Sequence, residues 1–393
     1  MKMTMKEEIK QELTGHILPF WESLKDEEQG GYYGYMGIDR VLDKKAEKGG
    51  ILTSRILWTF SHAYLTLHDE SYLPYATHAY EFIKNHFVDK EHGGIYWSVT
   101  YDGKPCDTIK HSYNMAFCIY ALSAYYDAVK DEEALSLAEG LYDLIESKYR
   151  DEYGYKEAFT VDFKPQSNEH LSENGVMAEK TMNTMLHIYE AYTELYRVSG
   201  HEGAKEGMHF IADLFKDKMY HPEKHRLEVF FDSTMHSLID LHSYGHDIET
   251  AWLLERGLEV LDEEAYHKRF LPMFADLEHE ILTVAYDGES VAAECENGVV
   301  LQNRIWWVQC ESMIGFYNAY QKHPDEVQYK EAVEHIWNYV KNYIIDTREG
   351  SEWYNERFYD KTVNEKEPLL SPWKCPYHNA RMCYEMIHRL GDE

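Results

Sequence analysis

The chain has no CxxC pair, no run of about 18 apolar residues and no Pro/Gly/Ser-rich stretch long enough to read as a linker. Each absence removes a class of answer. The six cysteines, at 106, 118, 295, 310, 375 and 383, have no metal-type spacing, and several lie inside apolar stretches. They read as reduced, mostly buried thiols of a cytoplasmic protein. Without a linker, residues 1–393 are expected to form a single catalytic domain. The opening "MKMTMKEEIKQELTGHILPFWESL" has no continuous apolar core, so neither a secretory signal nor a membrane span is expected. Basic residues are also scarce: 39 Lys and Arg stand against 70 Asp and Glu, a net charge of −31. Such a surface repels nucleic acid and anionic lipid, which leaves a neutral small molecule as the expected partner.

Aromatic residues, by contrast, are abundant: 33 Tyr, 9 Trp and 15 Phe. Their faces suit the C–H faces of sugars, although filling a core is their commonest use. They also mark a repeat. Glycine-centred aromatic stretches recur as "GGYYGYM" at 30, "GGIYWSV" at 93, "YGYKEAF" at 153, "DGESVAA" at 287 and "GSEWYNE" at 350. A sixth marker, "YHPEKHRLEVFFD" at 220–232, fills the gap, which makes six units of about sixty residues.

Two helical patterns alternate within these units. One set precedes each marker, at 6–24, 71–88, 133–149, 202–219, 266–283 and 327–345. In the first of these, Ile9, Leu13, Ile17, Phe20 and Leu24 form one apolar stripe beneath charged residues. The second set follows each marker, at 52–67, 111–129, 177–198, 244–261, 303–321 and 376–390. "NMAFCIYALSAYY" shows its character, apolar on every side and therefore buried on every side. Six amphipathic and six buried helices predict an all-α fold, an (α/α)6 barrel of twelve helices in two concentric layers. Short β-hairpins are expected at one rim, and an open solenoid is the competing architecture.

In a closed barrel the inner helices start at one mouth, where polar residues collect. The first turns supply Arg55, His111, Tyr113, Asn114, Asn183, His187, His246, Glu249, Trp307, Glu311, Trp373, Tyr377 and His378. Polar groups inside apolar helices are costly unless paired, so one shared pocket is the economical explanation. Pairs at i, i+3 or i, i+4 share a helix face: Asn183 with His187, His246 with Glu249, Glu249 with Trp252, and Trp307 with Glu311. A carboxylate beside an imidazole is expected to raise its pKa and hold its tautomer. His242, His246 and Glu249 raise a zinc reading, but HExxH is absent and no metal is expected. A glycoside hydrolase needs two opposed carboxylates. Here imidazoles outnumber acids, which favours proton abstraction and return. A non-catalytic scaffold would not need His and Arg at one mouth.

The stretches "KKAEKGGILTSRILW", "KTMNTMLHIYEAYTELY", "HSYGHDIETAWLL", "RIWWVQCES" and "GSEWYNE…PWKCPYHNARMCYEM" closely resemble the N-acylglucosamine 2-epimerase superfamily. Within it they are most similar to the bacterial cellobiose 2-epimerases. The resemblance runs through essentially the whole chain and implies an (α/α)6 barrel that needs no cofactor. It implies interconversion of glucose and mannose at the reducing end of β-1,4-linked disaccharides such as cellobiose and lactose. His246 and His378 resemble the two acid–base residues on opposite faces of C2, and Glu249 the partner of His246. Arg55 resembles the group that stabilises an enediolate. Tyr113, Asn183 and His187 resemble the groups holding the reacting sugar. Trp252, Trp307 and Glu311 resemble pocket walls and contacts, and Trp373 a platform for the second sugar. A monosaccharide 2-epimerase or aldose–ketose isomerase acting on mannose or N-acetylglucosamine is the alternative, followed by a glycoside hydrolase. A monomer is expected. The stretches 158–175 and 285–300 carry no assignment.

Overall fold

The computed structural model describes residues 3–391. Among them, helices taken with their adjoining π and 3₁₀ turns alternate between two layers. In chain order they are α1 (5–23), α2 (Gly50–Leu67), α3 (70–87), α4 (Ser112–Val129), α5 (132–149) and α6 (Met182–Ser199). Then follow α7 (202–219), α8 (Tyr244–Leu261), α9 (264–285, interrupted at 268–270), α10 (Trp306–Lys322), α11 (327–344) and α12 (Tyr377–Arg389). The even-numbered helices form the inner ring, and each packs on the next. The last, α12, packs back on α2, so the ring is closed. This is an (α/α)6 barrel rather than a solenoid.

The sequence explains both layers. In α4 every residue from Ser112 to Tyr125 is buried, as expected for a helix walled by neighbours on all sides. Outer helices bury one face, and four of the six start on side-chain caps. Thr4 and Glu7 form a reciprocal capping box, and Asp131 accepts from Glu133 N at 2.9 Å and Ala134 N at 3.0 Å. Each outer helix carries a five-residue π turn, and in five of the six that turn ends the helix. Inner helices α2, α4, α6 and α8 stop at left-handed residues, namely His68, Lys130, Gly200 and Asp262.

Short antiparallel strands pin the inner helix starts to one rim. Lys48–Gly49 pairs with Ser98–Val99, and Lys110–His111 pairs with Ala158–Phe159. Lys180–Thr181 pairs with Phe230–Phe231, and Arg304–Ile305 with Glu356–Arg357. Thus the strand before an inner helix joins a strand of the following unit, and the Met36–Leu370 bridge joins the last unit to the first. Four of these junctions also carry a cation on a carboxylate beside the repeat marker: Lys48–Asp26, Lys110–Asp89, Lys180–Asp151 and Arg304–Asp287, all at 2.6–2.8 Å. The third inner helix begins at Met182, not 177, because Glu179 N and Met182 N bond to Phe231 O and Val229 O across the rim. Among the described residues, no helix is long and apolar enough to cross a membrane.

Candidate active site

The inner helix starts converge on a cavity of about 380 Å³. Nine of the eleven expected site residues line it: Arg55, Tyr113, Asn183, His187, His246, Glu249, Trp307, Trp373 and His378. They come from all six inner helices, with Trp373 just before α12. Trp252 and Glu311 do not line it. They are completely or almost completely buried behind it, where Trp252 Nε1 donates to Glu311 Oε2 at 3.1 Å. Helical spacing places them on the right face but one layer too deep for a pocket wall.

Three imidazoles line the cavity, and two of them, His246 and His378, flank Trp307. His378 Nδ1 lies 2.7 Å from Glu311 Oε1, which leaves Nε2 as its second nitrogen. His246 Nδ1 lies 2.7 Å from Ser243 Oγ. The hydrogen-bonding partner of His246 is therefore Ser243, not Glu249. Both are three residues away, but Ser243 precedes the helix and its hydroxyl reaches the ring first. Trp307 touches both imidazoles, with ring centroids 4.8 Å from His246 and 5.4 Å from His378. Gly245 permits this: a Cβ there would sit 2.5 Å from the Trp307 indole.

Arg55, only 3% exposed, donates through Nη2 to Tyr113 OH at 3.0 Å. Its guanidinium lies 4.1 Å from the Phe117 ring centre and 4.8 Å from that of Tyr377. His187 Nδ1 lies 2.9 Å from Glu190 Oε2, and its ring stands edge-on to Tyr113. Glu249 Oε2 and Asn183 Oδ1 are buried acceptors without a protein partner, as expected where a ligand supplies the donors.

Behind the cavity, Arg381 ties three carboxylates together. Its Nη1 lies 2.7 Å from Glu190 Oε1, and its Nη2 lies 2.7 Å from Glu311 Oε1 and contacts Glu249. Tyr377 OH donates to both oxygens of Glu190 at 2.6 Å. Glu249, Glu311 and His378 bring possible metal-ligand atoms within 4.8 Å of one another. The guanidinium already bridges both of those carboxylates.

Burial governs the site's protonation. It pulls His246 down to about 4, with Glu249 opposing and His187 adding to the fall. Burial, followed by Arg381 and Arg55, holds His378 well below the ordinary imidazole range. The expectation that neighbouring carboxylates raise these pKa values is therefore reversed, because desolvation of the imidazolium outweighs the attraction. For Glu190, burial alone would raise the carboxyl, but Arg381, His187 and Tyr377 prevail and hold it at about 2. For Glu311, burial wins and pushes the carboxyl up to about 8, with Arg381 opposing and Glu249 adding. Between pH 4 and 8 the His378–Glu311 pair holds one labile proton while His246 is neutral.

Of the remaining candidates, His111 is fully buried and caps α4, its Nδ1 accepting from Tyr113 N at 3.2 Å. Asn114 is also buried outside the cavity and donates to Tyr96 O at 2.9 Å. His242 lies on the strand Leu241–Ser243, 2.9 Å from Asp247. Glu190, Arg381 and Ser243 were not anticipated. The signal for the first two was present: each is a charge on a helix otherwise buried all round, at i+3 from His187 and His378 respectively. Leu171, Glu173 and Glu294 also line the cavity, from stretches without helical periodicity.

A closed (α/α)6 barrel thus gathers three imidazoles, an arginine and aromatic walls at one mouth, and comparison with known proteins places that arrangement among carbohydrate epimerases. Residues 30–380 match the N-acylglucosamine 2-epimerase (GlcNAc 2-epimerase) family, and the chain belongs to that family. It is 49% identical to a cellobiose 2-epimerase of Ruminococcus albus, over 99% of this chain and 100% of that protein. A sugar epimerase from a ruminal bacterium superposes with a TM-score of 0.97 at 48% identity, covering 99% of this chain and 100% of that one. The cellobiose 2-epimerase of Bacillus thermoamylovorans superposes at 0.94 and 47% identity, covering 98% and 99%.

Proposed function

We infer that the chain is a cellobiose 2-epimerase, inverting C2 of the reducing-end glucose of β-1,4-linked disaccharides. Cellobiose becomes glucosyl-mannose and lactose becomes epilactose. The relatives support the activity. The observation that carries the chemistry is the pair of neutral imidazoles on one cavity, held through Nδ1 by different partners, Ser243 and Glu311, with Arg55 beside them. Residues 1–393 act as one cytoplasmic, monomeric catalytic unit that needs no cofactor.

The reducing-end pyranose opens by moving the O1 proton to the ring oxygen, so C1 becomes an aldehyde and the C2–H becomes acidic. His246 is neutral and can accept that proton at Nε2. An enediolate forms, and the charge on its oxygens faces Arg55 and the Tyr113 hydroxyl. Fixed donors of this kind stabilise the transition state without reorganisation. On the other face, His378 returns a proton from Nε2 and takes the Glu311 proton at Nδ1. One proton has left the Glu311–His378 pair and one has reached His246. The reverse reaction runs from that state, so one total proton count serves both directions. Return of the proton to C1 instead yields a ketose, a slow side reaction of the same intermediate. Glu249 Oε2 and Asn183 Oδ1 accept from sugar hydroxyls, and His187 holds the reacting sugar. Trp307 forms the wall, and Trp373 carries the second sugar.

The pH dependence of kcat/KM follows. The pair and His246 together must hold one proton. As pH falls through about 4, His246 takes a second proton and activity is lost. As pH rises through about 8, Glu311 loses the shared proton and activity is lost again. A bell with limbs near those values is expected in both directions, and a profile flat across pH 7–10 contradicts the shared proton.

The activity is tested by incubating the protein with cellobiose, lactose, glucose, mannose and N-acetylglucosamine and resolving the products. Glucosyl-mannose and epilactose are expected, whereas free glucose from cellobiose marks a hydrolase.

A further inference from the structure

The segment 160–179 has no helix, yet it places Leu171 and Glu173 on the catalytic cavity. Backbone bonds fix its ends, and side chains tie its middle to the barrel, Asn174 Nδ2 donating to Glu296 Oε2 at 2.9 Å among them. Asn168 Oδ1 accepts from His111 Nε2 at 2.9 Å. Two residues on, the His170 ring lies flat on Trp97, with centroids 4.2 Å apart and planes 4° from parallel. Its Nε2 donates to Asp107 Oδ2 at 2.9 Å. Trp97 is itself fixed to the barrel, because its carbonyl accepts from Gly50 N, the first residue of α2, at 2.8 Å.

Trp97 also meets Trp373 edge-on at 5.9 Å, and Trp373 meets Tyr113 at 6.0 Å. A run of rings therefore extends from His170 through Trp97 to the indole at the cavity mouth. Depth separates the two ends of the cavity. Trp373 is 42% exposed, against 8% for His378 and 3% for Arg55. A sugar reacting between His246 and His378 sits deep. A sugar linked to it extends outward, between Trp373 and the segment bearing Leu171 and Glu173.

We propose that His170 is a positioning residue for the outer sugar: stacked on Trp97, it sets both walls of the outer subsite and thereby the preference for disaccharides over monosaccharides. It touches neither substrate nor catalytic group. The inference rests on the epimerase reading for which sugar lies deep.

Cellobiitol and sorbitol, open-chain alditols that cannot epimerise, probe two subsites and one subsite respectively. In His170→Ala, KM for cellobiose and Ki for cellobiitol are expected to rise about tenfold, the scale of one lost aromatic stack with its loop ordering. Sorbitol Ki and kcat should stay within about twofold, since the deep site is untouched. His170→Phe, which keeps a ring on Trp97, should restore cellobiitol binding. Equal rises for both alditols, no rise for either, a collapse of kcat, or failure of the Phe variant to rescue would each overturn the proposal. Calorimetric binding of the two alditols reads the same split without turnover, so a wild-type protein that fails to epimerise cellobiose sinks the activity and not this measurement.

Discussion

Either His378→Ala or His246→Ala is expected to lower kcat by about 10²–10⁴-fold in both directions, the scale of a lost general acid or base. The fold should persist, because both side chains lie at the cavity and truncation enlarges a polar space rather than opening the core. A sharper consequence concerns partial reactions. Each variant keeps the other of the two proposed bases, and that imidazole is expected still to remove the C2 proton of the epimer it faces. In D2O, His246→Ala should therefore exchange C2–H of one epimer without inverting it, and His378→Ala that of the other. NMR of the recovered sugars reads both. Turnover within tenfold of wild type in either variant would end the two-base assignment.

Arg381→Met is expected to cost about 3–5 kcal/mol of stability, because it strips the counter-charge from buried carboxylates. Glu190, Glu249 and Glu311 are all nine-tenths buried or more, and Arg381 meets each of them. The sign with pH is defined by Glu190. Its pKa is depressed in the folded protein, so the stability this adds is present above the unfolded carboxylate value and is lost as pH falls toward about 2. In the variant that depression is removed, so acidification should narrow the gap between variant and wild type. Urea unfolding at pH 7 and pH 3 measures both effects, the second pH lying inside the window between the unfolded and folded values of Glu190. A loss below about 1 kcal/mol at pH 7, the worth of an exposed pair, would show that the network is not the structural keystone its burial implies.

Much of this architecture was legible because a closed ring imposes periodicity. The marker glycines adopt positive φ, at +81° for Gly30, +83° for Gly93 and +98° for Gly288, so glycine recurs where the turn recurs. Helices walled on every side, such as α4, had to be apolar on every side. What spacing could not show was depth. Trp252 and Glu311 lie on inward faces, but the cavity ends one layer above them. Nor could it choose between two partners at equal separation, which is why Ser243 rather than Glu249 bonds His246. The segment 160–179 was opaque for a different reason: it is held by His111 and Trp97 from other units, and local sequence carries no trace of such partners.

Inversion of C2 by proton removal on one face and delivery on the other is tested most directly by single-turnover epimerisation of cellobiose in D2O. The product should carry deuterium at C2 of its mannose unit, with none at C1 while ketose is absent. Glucosyl-mannose that retains its original C2 proton, with no solvent label at any turnover number, would contradict it.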